Sequence, residues 1–276
     1  MKNLGDYPVH SNISPDSNES MENAVRAAQA CGLTEICFTD HYDAGSPYGA
    51  FGDPDLEQYF QTLERVRAAF PALTIRSGIE LGMMREENEA IRKKLEPWQF
   101  DFILFSEHFV RGIDPWYEEY FNGRTLREGE RDYLQEMLLD LRSWDDFDVV
   151  GHIGYVDKNL LGYAHPLTEP DPFNYEDFPD EIDALLREII SRGKGIEINT
   201  STFTSWREGM PRRSVLRRYA ELGGEIVTLG SDAHRADDVG RFFPEALEML
   251  ADCGLRWVCT YSERKPQFHA IERSAK

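Results

Sequence analysis

Cysteine is scarce in this sequence. There are four in 276 residues, Cys31, Cys37, Cys253 and Cys259, all in mostly apolar segments and without close CxxC spacing. That pattern argues for buried free thiols and against a disulfide framework or a thiolate zinc site. No apolar run approaches the roughly 18 to 20 residues that span a bilayer. The stretch from Met1 to Pro15 is mixed and polar, without the apolar core of a secretory signal, so a cytoplasmic chain is expected. Glycine-rich phosphate loops of the GxGxxG or GxxxxGK(S/T) kind are absent, which weakens any nucleotide-cofactor reading. Basic residues are also short: 30 Lys and Arg against 50 Asp and Glu leave a net charge of −20, a field that repels nucleic acid and anionic membranes. Neither is an expected partner.

What is present is an ordinary globular composition, 41% hydrophobic and 29% charged. One α/β barrel of about 250 residues would absorb nearly all of it. No composition break, linker or repeat divides the chain, so residues 1–276 are expected to form one domain. Short apolar or β-branched runs recur at Tyr7–His10, Ile36–Thr39, Thr74–Glu80, Phe102–Ser106, Phe147–His152, Ile196–Thr200, Ile226–Gly230 and Trp257–Thr260. Helical patterns lie between most of them: Ser20–Cys31 stops at Gly32, Pro54–Phe70 follows a capping Asp53, Pro179–Arg192 stops at Gly193, and Ser214–Leu222 stops at Gly223. This alternation implies a parallel sheet with crossover helices. A barrel fits better than an open sheet, because almost every strand candidate ends in a polar or metal-capable residue and a barrel brings all its strand ends to one pocket.

Two connections are longer than ordinary loops. Val110–Thr125 carries Trp116, Tyr117, Tyr120 and Phe121, and Asn159–Phe178 carries Pro166, Pro170 and Pro172. Each is either a surface loop pinned by its aromatics and prolines or a wall of the pocket, since strand-to-helix loops build the active face of a barrel.

The histidines carry the chemistry. Five of the seven, His10, His41, His108, His152 and His234, stand at or just beyond the C-terminal end of a strand candidate. The acids repeat the pattern: Asp40 precedes His41, Glu80 closes the third strand and Asp232 lies two residues before His234. Imidazole and carboxylate together bind divalent ions such as zinc, manganese or iron. His165 and His269 follow no strand end and read as ordinary imidazoles, although His165 could face substrate from its loop.

In order and spacing, Asp6-Tyr7-Pro8-Val9-His10-Ser11, Thr39-Asp40-His41, Gly78-Ile79-Glu80, Ser106-Glu107-His108, Gly151-His152 and Gly230-Ser231-Asp232-Ala233-His234 resemble the successive motifs of the PHP (polymerase and histidinol phosphatase) family. Glu197 to Ser201, Glu-Ile-Asn-Thr-Ser, is similar to a stretch of its histidinol-phosphatase branch. The resemblance runs from about residue 6 to 240. It implies an α/β fold, a distorted (β/α)7 TIM-like barrel, with a trinuclear centre of two or three bound divalent ions (zinc, manganese or iron). It implies one ion on His10, Glu80 and Asp232, a second on Glu80, His108 and His152, and a third on Asp16, His41 and His234. Glu80, Asp232 and His234 are thereby also the catalytic candidates. One position departs from the family: its opening His-x-His has Pro8 in place of the first histidine, so the first ion loses a ligand.

The implied activity is metal-dependent hydrolysis of a phosphoric monoester, with L-histidinol phosphate as the expected substrate. Clustered divalent ions suit that chemistry, since they lower the pKa of water, clamp phosphoryl oxygens and stabilise a leaving alkoxide. Three alternatives stand beside it. One is another PHP phosphoesterase acting on nucleotides or phosphodiesters, and another is a metal-binding homologue weakened by Pro8. The third, an amidohydrolase, generally opens with His-x-His and often adds a bridging lysine, and no lysine here closes a strand. In so acidic a protein, Lys158, Arg207 and Arg235 are the phosphate-binding candidates because they fall in pocket-side loops. Asp40 and Asn199 are expected to accept the free N–H of metal-bound imidazoles. The partner is expected to be a small phosphate ester, and the sequence leaves the oligomeric state open.

Overall fold

The computed structural model describes residues 4–158 and 172–271. Its strands are β1 (Gly5–Val9), β2 (Glu35–Phe38), β3 (His41–Tyr42), β4 (Thr74–Gly82), β5 (Phe102–Ser106), β6 (Val149–Val150), β7 (Gly195–Asn199), β8 (Val227–Gly230), β9 (Trp257–Ser262) and β10 (Lys265–Ala270). Seven of them run parallel in the order β1-β2-β4-β5-β6-β7-β8, and β3 prolongs the direction of β2 by pairing His41 with Glu80 of β4. Val9 bridges Ala233 beyond β8, the His10 N–H donates to Ala233 O at 2.9 Å, and the Asp232 N–H donates to Pro8 O at 3.2 Å. These contacts bring the first strand back to the last, so the sheet is a nearly closed barrel. Among the described residues no helix is long and apolar enough to cross a membrane.

The helices α1 (Met21–Ala30), α2 (Leu56–Ala69), α3 (Asn88–Leu95), α4 (Leu126–Ser143), α5 (Pro179–Ser191), α6 (Phe203–Trp206), α7 (Arg213–Glu221) and α8 (Phe243–Asp252) follow in chain order. Ser20 caps α1 by accepting the Asn23 N–H, and Thr125 with Glu128 forms a reciprocal capping box on α4. Asp55, not Asp53, caps α2, so that helix begins two residues later than its sequence pattern suggests.

The interior has two layers. Apolar faces of the helices pack on outward residues of the strands such as Val9, Ile36 and Phe38. Inside the base of the barrel, Tyr7, Cys37, Phe102, Leu104 and Val149 form a second cluster with Cys259 and Tyr261. Those last two residues correct the sequence reading. Trp257–Thr260 is a strand, but it belongs to the antiparallel β9–β10 hairpin, and its side chains close the base of the barrel instead of adding a stave. Burying such aromatics is worth about 1.5–3 kcal/mol each, and with the base filled, the opposite end is left to hold the site.

Candidate metal centre

Four of the five strand-end histidines are buried and His234 is half-buried, and all of them converge above the C-terminal ends of the strands. His10 Nε2 lies 3.2 Å from Glu80 Oε2 and 3.3 Å from Asp232 Oδ1. His108 Nε2 and His152 Nε2 lie 3.2 and 3.0 Å from Glu80 Oε1. Asp16 Oδ2 lies 3.0 Å from His234 Nε2 and 3.5 Å from His41 Nε2. The His10 ring stacks on His41 at 4.4 Å and on His234 at 4.2 Å, so the three neighbourhoods form one continuous cluster.

This donor set fits divalent metal ions. His10 Nε2 and Glu80 Oε2 are buried at that 3.2 Å separation, yet neither has a hydrogen-bond partner. The Nε2 atoms of His108 and His152 face each other at 3.4 Å with one carboxylate oxygen between them. Such an arrangement leaves lone pairs aimed at a shared point, and buried polar atoms of this kind require a cation or a proton. The sets His10–Glu80–Asp232, Glu80–His108–His152, His10–His41–His234 and His41–Asp43–His108 each bring ligand atoms within 4.8 Å of one another.

Electrostatics bind these groups tightly together: burial would lower His10 and His108, but Asp232 and Glu80 beside the first and Asp43 and Glu80 beside the second hold both well above the usual imidazole range. Burial alone would raise the Glu80 carboxyl, but His41, His10, His108 and His152 around it hold it well below the usual carboxylate range. Burial would likewise raise Asp232, and Lys158, His10 and His234 hold it down. Burial lowers His152, which favours the neutral imidazole that a metal binds. Asp232 takes a left-handed backbone conformation (φ 55) as the chain leaves β8, a geometry that aspartate tolerates better than most residues. Below it Asp6 fixes this turn, accepting from Ser231 N, Ser231 Oγ and Gly240 N at 2.8, 2.6 and 2.8 Å.

Comparison with known proteins decides what kind of centre this is: residues 6–201 match the PHP domain. The chain belongs to the PHP domain family. Histidinol-phosphatase of Lactococcus lactis is 30% identical over 267 residues, 96% of each chain. A Clostridium acetobutylicum protein named "Probable histidinol-phosphatase" is also 30% identical, covering 91% of this chain and 94% of its own. The crystal structure of the Lactococcus lactis histidinol phosphate phosphatase, complexed with zinc, L-histidinol and phosphate, superposes with a TM-score of 0.85 at 28% identity and covers 96% of this chain and 99% of that one.

Within this PHP barrel some expected site residues stand apart from the cluster. Asp40 does not reach an imidazole. It accepts from Ser11 N and Oγ (2.7 and 2.8 Å) and Ser14 N (3.2 Å), while Ser14 Oγ meets His10 Nδ1 at 3.3 Å and accepts from His41 N at 3.0 Å. Its role is to shape the loop that carries Ser14. Asn199 also misses the imidazoles, because its Oδ1 accepts from Ser201 N and Oγ. Arg207, in a left-handed conformation at the end of α6, lines a separate cleft with Phe203 and Arg213. Arg235 is exposed beside Glu19 and does not line the site cavity. Lys158 does line it, with Nζ 2.6 Å from Asp232 Oδ2. Of the long connections, Trp116 and Tyr117 wall the cavity, whereas Tyr120 and Phe121 are buried in the core. His165, Pro166 and Pro170 lie outside the described residues, and His269 sits on the hairpin against Thr260 Oγ1.

Asp43 is the residue that the motifs did not single out. Its Oδ2 lies 3.1 Å from His108 Nδ1, and its Oδ1 accepts from Gly82 N at 3.1 Å. A Cβ on Gly82 would fall 2.3 Å from that oxygen and 2.8 Å from His108 Nδ1, so only glycine admits this close approach. The available signal was position: two residues after His41, alternation returns a side chain to the same face of the sheet.

Proposed function

We propose that this PHP protein hydrolyses a phosphoric monoester, L-histidinol phosphate, at a centre of two or three divalent ions such as zinc, manganese or iron. The observation that carries this reading is the convergence of His10, Asp16, His41, Glu80, His108, His152, Asp232 and His234 at one mouth of the barrel. It is supported by the likeness to a histidinol-phosphatase along nearly the whole chain.

When bound, the ions supply water of lowered pKa and neutralise charge on the phosphoryl group. The protein's own residues divide the remaining work. His10, Glu80 and Asp232 would hold one ion, Glu80, His108 and His152 a second, and Asp16, His41 and His234 a third. Glu80 would thus be shared by two ions, while Asp232 and His234 would contribute to the centre from the end of β8. Asp43 orients His108 through Nδ1, leaving Nε2 for the metal. Lys158 is the phosphate-facing cation, because its ammonium already lies within the cavity beside the acidic cluster. The imidazoles and aromatic rings crowd the mouth and strengthen these interactions by displacing water.

Phosphate release from L-histidinol phosphate, nucleoside monophosphates and bis(p-nitrophenyl) phosphate tests the reading on one metal-loaded preparation. Preference for L-histidinol phosphate is expected. Turnover of the diester or the nucleotides alone would transfer the site to the other phosphoesterase class.

A further inference from the structure

The cavity over the metal centre measures about 420 Å³, within the range of pockets that enclose small molecules. Its lining carboxylates are Asp16, Asp43, Glu80, Asp114 and Asp232. Four of these stand among the histidines, but Asp114 belongs to none of the ligand clusters found among the described residues. Lys158 is the one lysine or arginine in the described lining, and its ammonium lies 2.6 Å from Asp232 Oδ2 and pairs with no oxygen of Asp114. Asp114 therefore presents to the cavity a carboxyl group that belongs to no ligand cluster and pairs with no lysine or arginine among the described residues.

Its surroundings are aromatic. Asp114 is half-buried, and its Oδ1 accepts from Trp116 N at 2.8 Å and Tyr155 OH at 3.1 Å. Tyr48 stacks on Tyr117 at 4.5 Å and on Phe109 at 6.3 Å. Both bonds fall on Oδ1, and among the described residues no donor is bonded to Oδ2, which is left for a ligand donor. A carboxyl group in a cavity that is also lined by Tyr48, Phe109, Trp116, Tyr117 and Tyr155 suits an organic cation, which gains charge-assisted hydrogen bonds from the one and ring contacts from the others.

We propose that Asp114 and the rings around it form the subsite that selects the alcohol half of the ester, by binding a positively charged amine or imidazolium. The proposal rests on the phosphatase reading above and adds the residue that confers substrate choice. Metals and Lys158 take the phosphoryl end, and Asp114 takes the cationic end. Uncharged or aryl phosphates then enter without a partner for this carboxylate.

The substitution Asp114→Asn keeps an acceptor for Trp116 and Tyr155 and removes only the charge. Metal-loaded wild type and variant are compared on L-histidinol phosphate and p-nitrophenyl phosphate, with calorimetric binding of L-histidinol measured alongside. The ratio of kcat/KM between the two esters is expected to fall by at least about tenfold, through KM, with a matching loss of L-histidinol affinity. Equal losses on both esters, or unchanged L-histidinol binding, would overturn the proposal. If wild type hydrolyses neither ester, the phosphatase reading fails on its own, and the calorimetry still decides the subsite.

Discussion

The Nε2 atoms of His108 and His152 face each other at 3.4 Å, and Glu80 Oε1 lies within 3.2 Å of both. Two neutral imidazoles so placed cannot both donate to the same oxygen without crowding, whereas a divalent ion satisfies all three atoms. Metal binding should therefore stabilise the fold as well as enable the chemistry. Chelation is expected to lower the Tm, and resupplied Zn²⁺ or Mn²⁺ to restore it, since a ligand at 1,000 times its Kd contributes about 4 kcal/mol. The effect should fade at acid pH as the histidines protonate and lose their lone pairs. Scanning calorimetry with and without chelator is the check, and an unmoved Tm would count against ions at this cluster.

Asp43 should govern the affinity of the position that uses His108. Asp43→Ala removes the partner of His108 Nδ1 and the acceptor for Gly82 N. Losing a carboxylate behind a ligating histidine typically costs 10–100-fold in metal affinity, so a loss of about that size is expected. Competition with a chromophoric chelator would measure it. Wild-type affinity in the variant would make Asp43 a bystander.

Lys158 and Arg207 should behave oppositely, although the sequence offers both as phosphate clamps. Lys158→Ala is expected to cost about 2–5 kcal/mol in kcat/KM by removing the half-buried cation beside Asp232. Arg207→Ala should leave the kinetics unchanged, because Arg207 lines another cleft. Steady-state kinetics on both variants would expose the reverse pattern directly.

Pro8→His should increase bound metal. Glu197 Oε1 and Pro8 Cδ lie 2.1 and 2.4 Å from the point where a Cβ on Gly230 would stand, so the Pro8 ring borders the same space as Glu197. Glu197 Oε1 is buried without a partner and could accept one N–H of an introduced imidazole, leaving the other nitrogen for metal. Elemental analysis of the folded variant should show more metal per chain than wild type. Equal content would show that position 8 does not reach the His10–Glu80–Asp232 group.

The barrel and most of its acidic and histidine cluster were legible in the sequence because parallel strands deliver their C-terminal residues to one place, and His10, His41, Glu80, His108 and His152 each mark such an end. What escaped depended on contacts that periodicity does not encode. Trp257–Thr260 has the pattern of a strand, but pattern alone does not say that its partner is the following β10. Strand alternation from Pro8 to His10 is interrupted, since a register shift between Asp6 and Val9 sends Tyr7 into the barrel and Val9 to the outer layer. Asp40 was paired with His41 by adjacency, yet neighbours along extended chain point to opposite faces. Asp43 carries no motif, only its place two residues after His41, and Asp114 has not even that, so what it faces is shown by the folded cavity alone.

The account turns on one claim, that ions held by these histidines and carboxylates hydrolyse a cationic phosphate monoester. Its most direct test is phosphate release from L-histidinol phosphate by a single preparation whose metal content is measured before chelation, after chelation and after resupply. Turnover should follow bound metal, vanishing with chelation and returning with Zn²⁺ or Mn²⁺. Undiminished turnover in metal-free protein, or none in protein with all its positions filled, would contradict it.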